Sequence, residues 1–158
     1  MKINRNKIGL ILLGFYVVQY FCPVKLVFLE HLQNDSTYRF WSGLALFLLI
    51  LHQWLLPIYR AVYDLKGKPL EKKTAVHNWV GSVSPLVFFL HSTKPDYGLL
   101  FILAVIFFLN LSFGLFNFID NSKKHIKFYR VGIAIHILLS VAILLLTLLH
   151  IWLVFYYN

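Results

Sequence analysis

The sequence predicts an all-α integral membrane protein, a bundle of five transmembrane helices with the N-terminus inside and the C-terminus outside. The 158 residues are 59% hydrophobic and only 13% charged, whereas about a quarter of the residues in a typical soluble domain are charged. This excess of apolar residues is concentrated in runs of about 20, the length that crosses a bilayer as a helix.

Five apolar stretches are long enough to cross about 30 Å at about 1.5 Å per residue. We place the spans near residues 8–28, 40–62, 74–92, 98–119 and 128–157, in a single membrane domain covering 1–158. The connecting loops, at 29–39, 63–73, 93–97 and 120–127, are short and polar. The basic N-terminus is followed by an apolar run without a small-residue cleavage site, so we interpret it as a retained first span rather than a signal peptide.

The distribution of basic residues predicts the orientation. All of the 15 lysines and arginines except Lys25, Arg39 and Lys94 lie on one side of the expected bundle. The positive-inside rule places that side in the cytoplasm, with the chain in the inner cell membrane among lipid. Spans three and five then run parallel. Topology also accounts for the net charge of +9, so we expect no nucleic-acid partner.

Several kinds of site are excluded by motif. Cys22 is the only cysteine, so neither an internal disulfide nor a CxxCH haem attachment is possible. No GxGxxG follows a strand and no Walker motif occurs. The chain therefore carries no flavin or nicotinamide module, and we expect no catalytic residue for bond-making chemistry.

Five of the seven histidines lie within expected spans, where an ionisable group is costly and indicates function. His77 and His91 in span three are 14 residues apart, as are His136 and His150 in span five. Fourteen residues make nearly four turns, roughly 21 Å of rise, so both histidines of a span lie close to one face. In parallel spans, His77 lies level with His136, and His91 with His150.

Two facing pairs of imidazoles suit two haem b groups, one at each level. Neutral imidazole is a good iron ligand, and two trans imidazoles close both axial positions, which favours electron transfer over oxygen binding. The flat macrocycle needs small neighbours, and Gly81 and Gly132 each lie four residues from a histidine. Hydroxyl residues that extend these faces could accept an imidazole N–H; they are Ser84, Ser140 and Thr147.

Haem propionates need cationic partners. Lys72, Lys73 and Arg130 lie one to two turns inside the inner histidine pair, and Arg39 and Lys94 are available to the outer one.

Other interpretations remain open. Intramembrane histidines can serve only packing or hydrogen bonding, and zinc is a weaker rival because its sites need three or four ligands close together. His52 in span two could replace one of the four ligands, contact a proton or quinone, or be structural. His31 and His125 fall in loops.

We also expect polar and small residues outside the histidine pairs to serve packing. Asn110 and Asn117 in span four are expected to bond between helices. Gly43 and Gly114 are expected to allow close packing between helices rather than to bind a ligand.

Spans three and five resemble the transmembrane domain of the ferric reductase and NADPH oxidase superfamily. The matching segments are His77-Asn-Trp-Val-Gly81 through Phe88-Phe89-Leu90-His91-Ser92, and Arg130-x5-His136-x13-His150. The resemblance covers about residues 40–157 and implies an inner haem on His77 and His136 and an outer haem on His91 and His150. Electrons in that family pass from a cytoplasmic flavin through both haems to an outside acceptor.

Two departures from that family stand out. It usually has six spans and a cytoplasmic FAD/NADPH domain or a reductase partner, so electrons here must come from another protein or from quinol. The 14-residue spacing also resembles cytochrome b of quinol–cytochrome c reductase, whose quinone loops are absent here.

Three functions follow as hypotheses. The first is a di-haem electron conduit from a cytoplasmic-side donor protein to an external acceptor, such as ferric iron or a redox partner. The second is a cytochrome b subunit of a quinone-linked oxidoreductase. The third is a non-haem transporter or scaffold.

Overall fold

The computed structural model describes residues 5–22, 26–64, 66–95, 97–119 and 126–157. All of the regular secondary structure in these residues is α-helical. The helices are α1 (Arg5–Phe21), α2 (Val27–Asn34), α3 (Ser36–Tyr63), α4 (Gly67–His91), α5 (Gly98–Ile119) and α6 (Ile126–Tyr156). Lys25, His125 and most of the loop expected at 120–127 lie outside the described residues.

Three of the described helices are long and apolar enough to cross a membrane. These segments are Ser36–Tyr63, Gly98–Leu115 and Tyr129–Tyr156, and only 17%, 22% and 11% of their most apolar windows are buried within the protein. Apolar side chains therefore cover most of their outer surface, as lipid contact requires. The prediction of a helical membrane protein is confirmed to this extent.

The first expected span, 8–28, is wrong in its boundary, since α1 ends at Phe21. Pro23 disfavours helical geometry at the residue before it, which accounts for the end of the helix. The apolar part of α1, Asn6–Phe21, is shorter than the three candidate spans.

The loops expected at 29–39 and 63–73 are also wrong, because most of their residues are helical. Helix α2 fills the first, and α3 follows it at once, with Asp35 as N-cap accepting a hydrogen bond from the Tyr38 N–H at 2.7 Å. Helix α4 begins within the second, at Gly67. Cap and turn residues, which the apolar pattern does not report, set these boundaries.

Pro85 lies inside α4 and is fully buried. It has no N–H, so the carbonyl of Gly81 loses its intrahelical donor. The Ser84 hydroxyl donates to that carbonyl at 2.7 Å. A serine beside the proline thus satisfies the polar group that the proline exposes.

The chain comprises two compact units, Met1–Thr93 and Lys94–Asn158. In the first, α4 packs against both α1 and α3, and the Tyr16 and Phe88 rings meet edge to face at 5.4 Å between centroids. In the second, α5 packs against α6. Each unit holds two of the four candidate ligand histidines, His77 and His91 in the first and His136 and His150 in the second.

Candidate functional site: imidazoles held at helix crossings

His91 is the last residue of α4, and its ring packs on α3 at Gly43. An ideal Cβ at Gly43 would lie 3.0 Å from His91 Cε1. Nδ1 of His91 lies 3.1 Å from the Ser42 hydroxyl, whose single hydrogen is donated to the Tyr38 carbonyl at 2.8 Å. In the tautomer in which Nδ1 carries the proton, the hydroxyl accepts from Nδ1–H and the lone pair lies on Nε2.

His136 is held in the same way in the other unit. Its Nδ1 lies 3.0 Å from the backbone carbonyl of Asn110 in α5, and a carbonyl can only accept. An ideal Cβ at Gly114 would lie 3.2 Å from His136 Cε1. A neutral His136 ring therefore carries its proton on Nδ1 and its lone pair on Nε2, the arrangement in which metal-binding histidines are usually held.

His77 has the opposite tautomer. The Gln53 amide oxygen accepts from the Gly81 N–H at 3.0 Å, which turns the amide nitrogen toward His77. That nitrogen donates to His77 Nδ1 at 2.8 Å and to the His77 carbonyl at 3.3 Å, an orientation assigned from the hydrogen-bond network. An Nδ1 that accepts leaves the proton of a neutral ring on Nε2, so His77 does not fit an iron ligand while this contact holds.

His150 lies in α6, partly exposed. No hydrogen bond to its ring is formed within the described part of the chain. One turn earlier, the Thr147 hydroxyl is buried, and it too has no partner among the described residues. The Thr147 hydroxyl is therefore available to accept from the His150 imidazole, as the sequence predicts, but the two side chains form no hydrogen bond in the structure.

The serines expected to accept from imidazoles on their own face have other partners. Ser84 donates to the Gly81 carbonyl, and Ser140 donates to the His136 carbonyl at 2.7 Å. Serines inside helices often return their hydroxyl to the preceding turn in this way. The imidazole partners come instead from the neighbouring helix of each hairpin.

The two glycines predicted to lie against haem are both partly or fully buried. An ideal Cβ at Gly81 would lie 3.9 Å from the nearest atom of the Gln53 amide, so the missing side chain at this position makes room for α3. Gly132 is buried in α6.

The three cations named for the inner propionates, Lys72, Lys73 and Arg130, are exposed. Lys73 lies over the Tyr59 ring, with its amine 4.1 Å from the ring centroid, a cation–π contact within the first unit. Arg130 lies in the first turns of α6.

His52 lies in α3 with its Nδ1 buried and without a hydrogen-bond partner among the described residues. His31 is exposed as expected, but on α2 rather than in a loop. Among described residues, no group of three or more His, Cys, Asp or Glu could hold a metal ion. A haem site needs only two imidazoles, so it does not require such a group.

Sequence reasoning missed the partners of the imidazoles. Gln53 and Ser42 were not considered as histidine partners, and Gly43 and Gly114 were assigned only to helix packing. Gly43 and Gly114, on the helices that precede α4 and α6, indicate where an imidazole ring can pack. They can be matched to a particular histidine only when the register of the two helices is known.

The predicted interhelical bond of Asn110 is confirmed. Its amide donates to the Ser140 hydroxyl at 3.2 Å, across the α5–α6 contact. The side chain of Asn117 lies outside the described part of the chain.

Replacing Asn110 with leucine is expected to destabilise the α5–α6 hairpin modestly, by about 0.6 kcal/mol, the typical value of a polar contact between membrane helices. The His136 ring should be little affected, because its acceptor is the backbone carbonyl of Asn110. The measurement is unfolding in mixed micelles, with Ser112→Ala as the control, since among the described residues Ser112 bonds only to the Phe108 carbonyl of its own helix. A loss above about 2 kcal/mol would contradict this assignment.

Comparisons of the chain with known protein families, curated proteins and solved structures found no match.

Proposed function

We propose that this protein is a transmembrane electron conduit that holds two haem b groups between imidazoles of α4 and α6. The observation that carries the proposal is the state of His91 and His136. Nδ1 of each lies within hydrogen-bonding distance of an oxygen of a neighbouring helix. His136 donates to a backbone carbonyl, and a proton on Nδ1 of His91 would likewise leave its lone pair on Nε2. Packing alone does not require an oxygen beside Nδ1 at two separate helix crossings, whereas ligation of iron through Nε2 favours one.

The four ligands would be paired by level. His91 and His150 would hold the outer haem, and His136 and His77 the inner one, as the equal 14-residue spacing on two parallel helices predicts. His77 can take its part only if the Gln53 amide turns by half a rotation. Its oxygen would then accept from Nδ1, and the lone pair of His77 would move to Nε2.

The protein's contribution is to bind and orient rather than to react. Haem b held by these imidazoles would supply one-electron chemistry. Gly43 and Gly114 bring each imidazole against a helix backbone, and Ser42 and the Asn110 carbonyl fix its rotation. Such fixed partners tune ligand basicity and potential.

The proposed topology has five crossings, including α1 and α4, with the N-terminus in the cytoplasm and the C-terminus outside. Support comes from the exposed basic residues where α3 ends and α4 begins, Arg60, Lys66, Lys68, Lys72 and Lys73. By the positive-inside rule this surface faces the cytoplasm. We propose that it receives an acidic electron-donor protein, since complementary charge guides such encounters.

A quinone-linked cytochrome b is the second candidate, and His52 favours it. A buried imidazole nitrogen without a partner is costly, and a quinone oxygen or hydroxyl would satisfy it. Reduction of the purified protein by quinol, lost in His52→Leu, would favour this candidate over a protein donor.

The purified full-length protein, produced with ample haem, is expected to show a low-spin b-type spectrum with about two haems per chain. Bis-imidazole ligation is the physical reason. Pyridine haemochrome and redox difference spectra provide the measurement. A protein that is folded by circular dichroism but binds no haem would leave the third candidate, a transporter or scaffold.

A further inference from the structure

The side chain of Gln33, at the end of α2, closes the C-terminal turn of α4. Its amide nitrogen donates to the carbonyls of Phe89 at 3.0 Å and Leu90 at 3.1 Å. Its amide oxygen accepts from the Thr93 hydroxyl at 2.9 Å and the Thr93 N–H at 3.4 Å. One amide thus replaces the hydrogen bond between the residue-89 carbonyl and the residue-93 N–H that would have continued the helix.

Tyr38 reinforces this closure from α3. Its hydroxyl donates to the Leu90 carbonyl at 2.9 Å. Tyr38 is also the residue whose carbonyl accepts from the Ser42 hydroxyl, and that hydroxyl lies 3.1 Å from His91 Nδ1. Tyr38, which binds the end of α4, and Ser42, which contacts the His91 ring, are therefore one turn apart on α3.

Gln53 contacts α4 in the same manner at the other histidine. Its amide reaches the His77 carbonyl and the Gly81 N–H, which again are four residues apart. The contact made by Gln33 spans residues 89 and 93, on either side of His91. Each histidine of α4 is therefore matched by one glutamine from the segment α2–α3.

We infer that Gln33, together with Tyr38, is a positioning residue for His91 and so for the outer haem; this rests on the proposed function. Helix ends fray unless their last carbonyls find donors, and His91 is the terminal residue of α4. Without Gln33, the last turn of α4 loses donors to two carbonyls and an acceptor for Thr93. His91 then loses the fixed backbone that aligns its Nδ1 with Ser42.

The test compares Gln33→Leu with Gln53→Leu in the full-length protein, two equal substitutions at residues that contact the C-terminal end and the middle of α4. Electron paramagnetic resonance resolves the two low-spin haems, and His91→Ala identifies the outer one. We expect Gln33→Leu to shift the outer haem's g-values and weaken its binding by about tenfold, a typical effect of losing a support to a metal ligand. Gln53→Leu is expected to act on the inner haem instead.

A second readout uses the haem-free protein. Hydrogen exchange of the Thr93 amide should be about tenfold faster in Gln33→Leu, because its acceptor is gone. Gln33→Glu keeps that acceptor but loses the donor to the two carbonyls, so it should retain slow exchange while still shifting the outer haem. This variant separates positioning from a general loss of folding.

The results separate the two claims. Wild-type protein without haem would overturn the proposed function, and the positioning role with it. Haem-loaded protein in which Gln33→Leu leaves the outer g-values unchanged, or moves both haems equally, would overturn the positioning role alone.

Discussion

Replacing either His91 or His150 with alanine is expected to remove one haem and leave the other, whereas His77→Ala or His136→Ala should remove the second haem. The reason is that each haem would take one ligand from α4 and one from α6 at the same level of the membrane. Losing one of two axial imidazoles opens the iron and weakens binding by at least about tenfold. These substitutions should have the largest effects of any in the chain.

Pyridine haemochrome spectra measure the number of haems per chain. Electron paramagnetic resonance then identifies which haem remains. His31→Ala is the matched control, because His31 is exposed on α2 and should leave both haems in place. If His77 and His150 behaved as a pair, α4 and α6 would run antiparallel and the proposed topology would be wrong. Retention of both haems in all four variants would reject imidazole ligation by these residues.

Gly43→Leu and Gly114→Leu are expected to displace the imidazoles of His91 and His136 respectively. Even a Cβ would lie 3.0 Å from His91 Cε1 and 3.2 Å from His136 Cε1, so the larger side chain forces each ring out of its hydrogen bond. Overpacking of this kind costs about 1–3 kcal/mol. Each variant should lose one haem while retaining helical structure.

Gly14→Leu is the matched control, since a Cβ at Gly14 would meet nothing within 4 Å. Gly43→Leu should affect the haem that depends on His91, and Gly114→Leu the haem that depends on His136. Equal loss of haem in Gly14→Leu would show that added bulk in any helix is sufficient, and would remove the special role of the two glycines.

The sequence predicted the helical class and the approximate position of most helices well, because an apolar run of about 20 residues satisfies its backbone polar groups in a membrane as a helix. Helix α5 matches its expected range of 98–119 from end to end. The division between α1 and α2 was missed because the apolar pattern continues through it. Local backbone chemistry at Pro23 and Asp35 decides those boundaries, and hydropathy is insensitive to it.

The sequence identifies the candidate histidines but not their hydrogen-bond partners. Spacing along a single helix identifies which histidines share a face, and that part used no knowledge of other helices. The contacts of Gln53 with His77 and of Ser42 with His91 depend on how α3 aligns with α4. That alignment brings His91 against Gly43 and Gln53 against Gly81, and a sequence pattern does not specify it.

The polarity of α4 has a consequence for how the protein is made. Helix α4 is less apolar than α3, α5 and α6, and its imidazoles meet their hydrogen-bond partners on α3. A segment of this kind enters a bilayer at lower cost when its polar groups are already satisfied. In the proposed topology, α3 leaves the ribosome before α4 and supplies these partners, so insertion of α4 would depend on its pairing with α3.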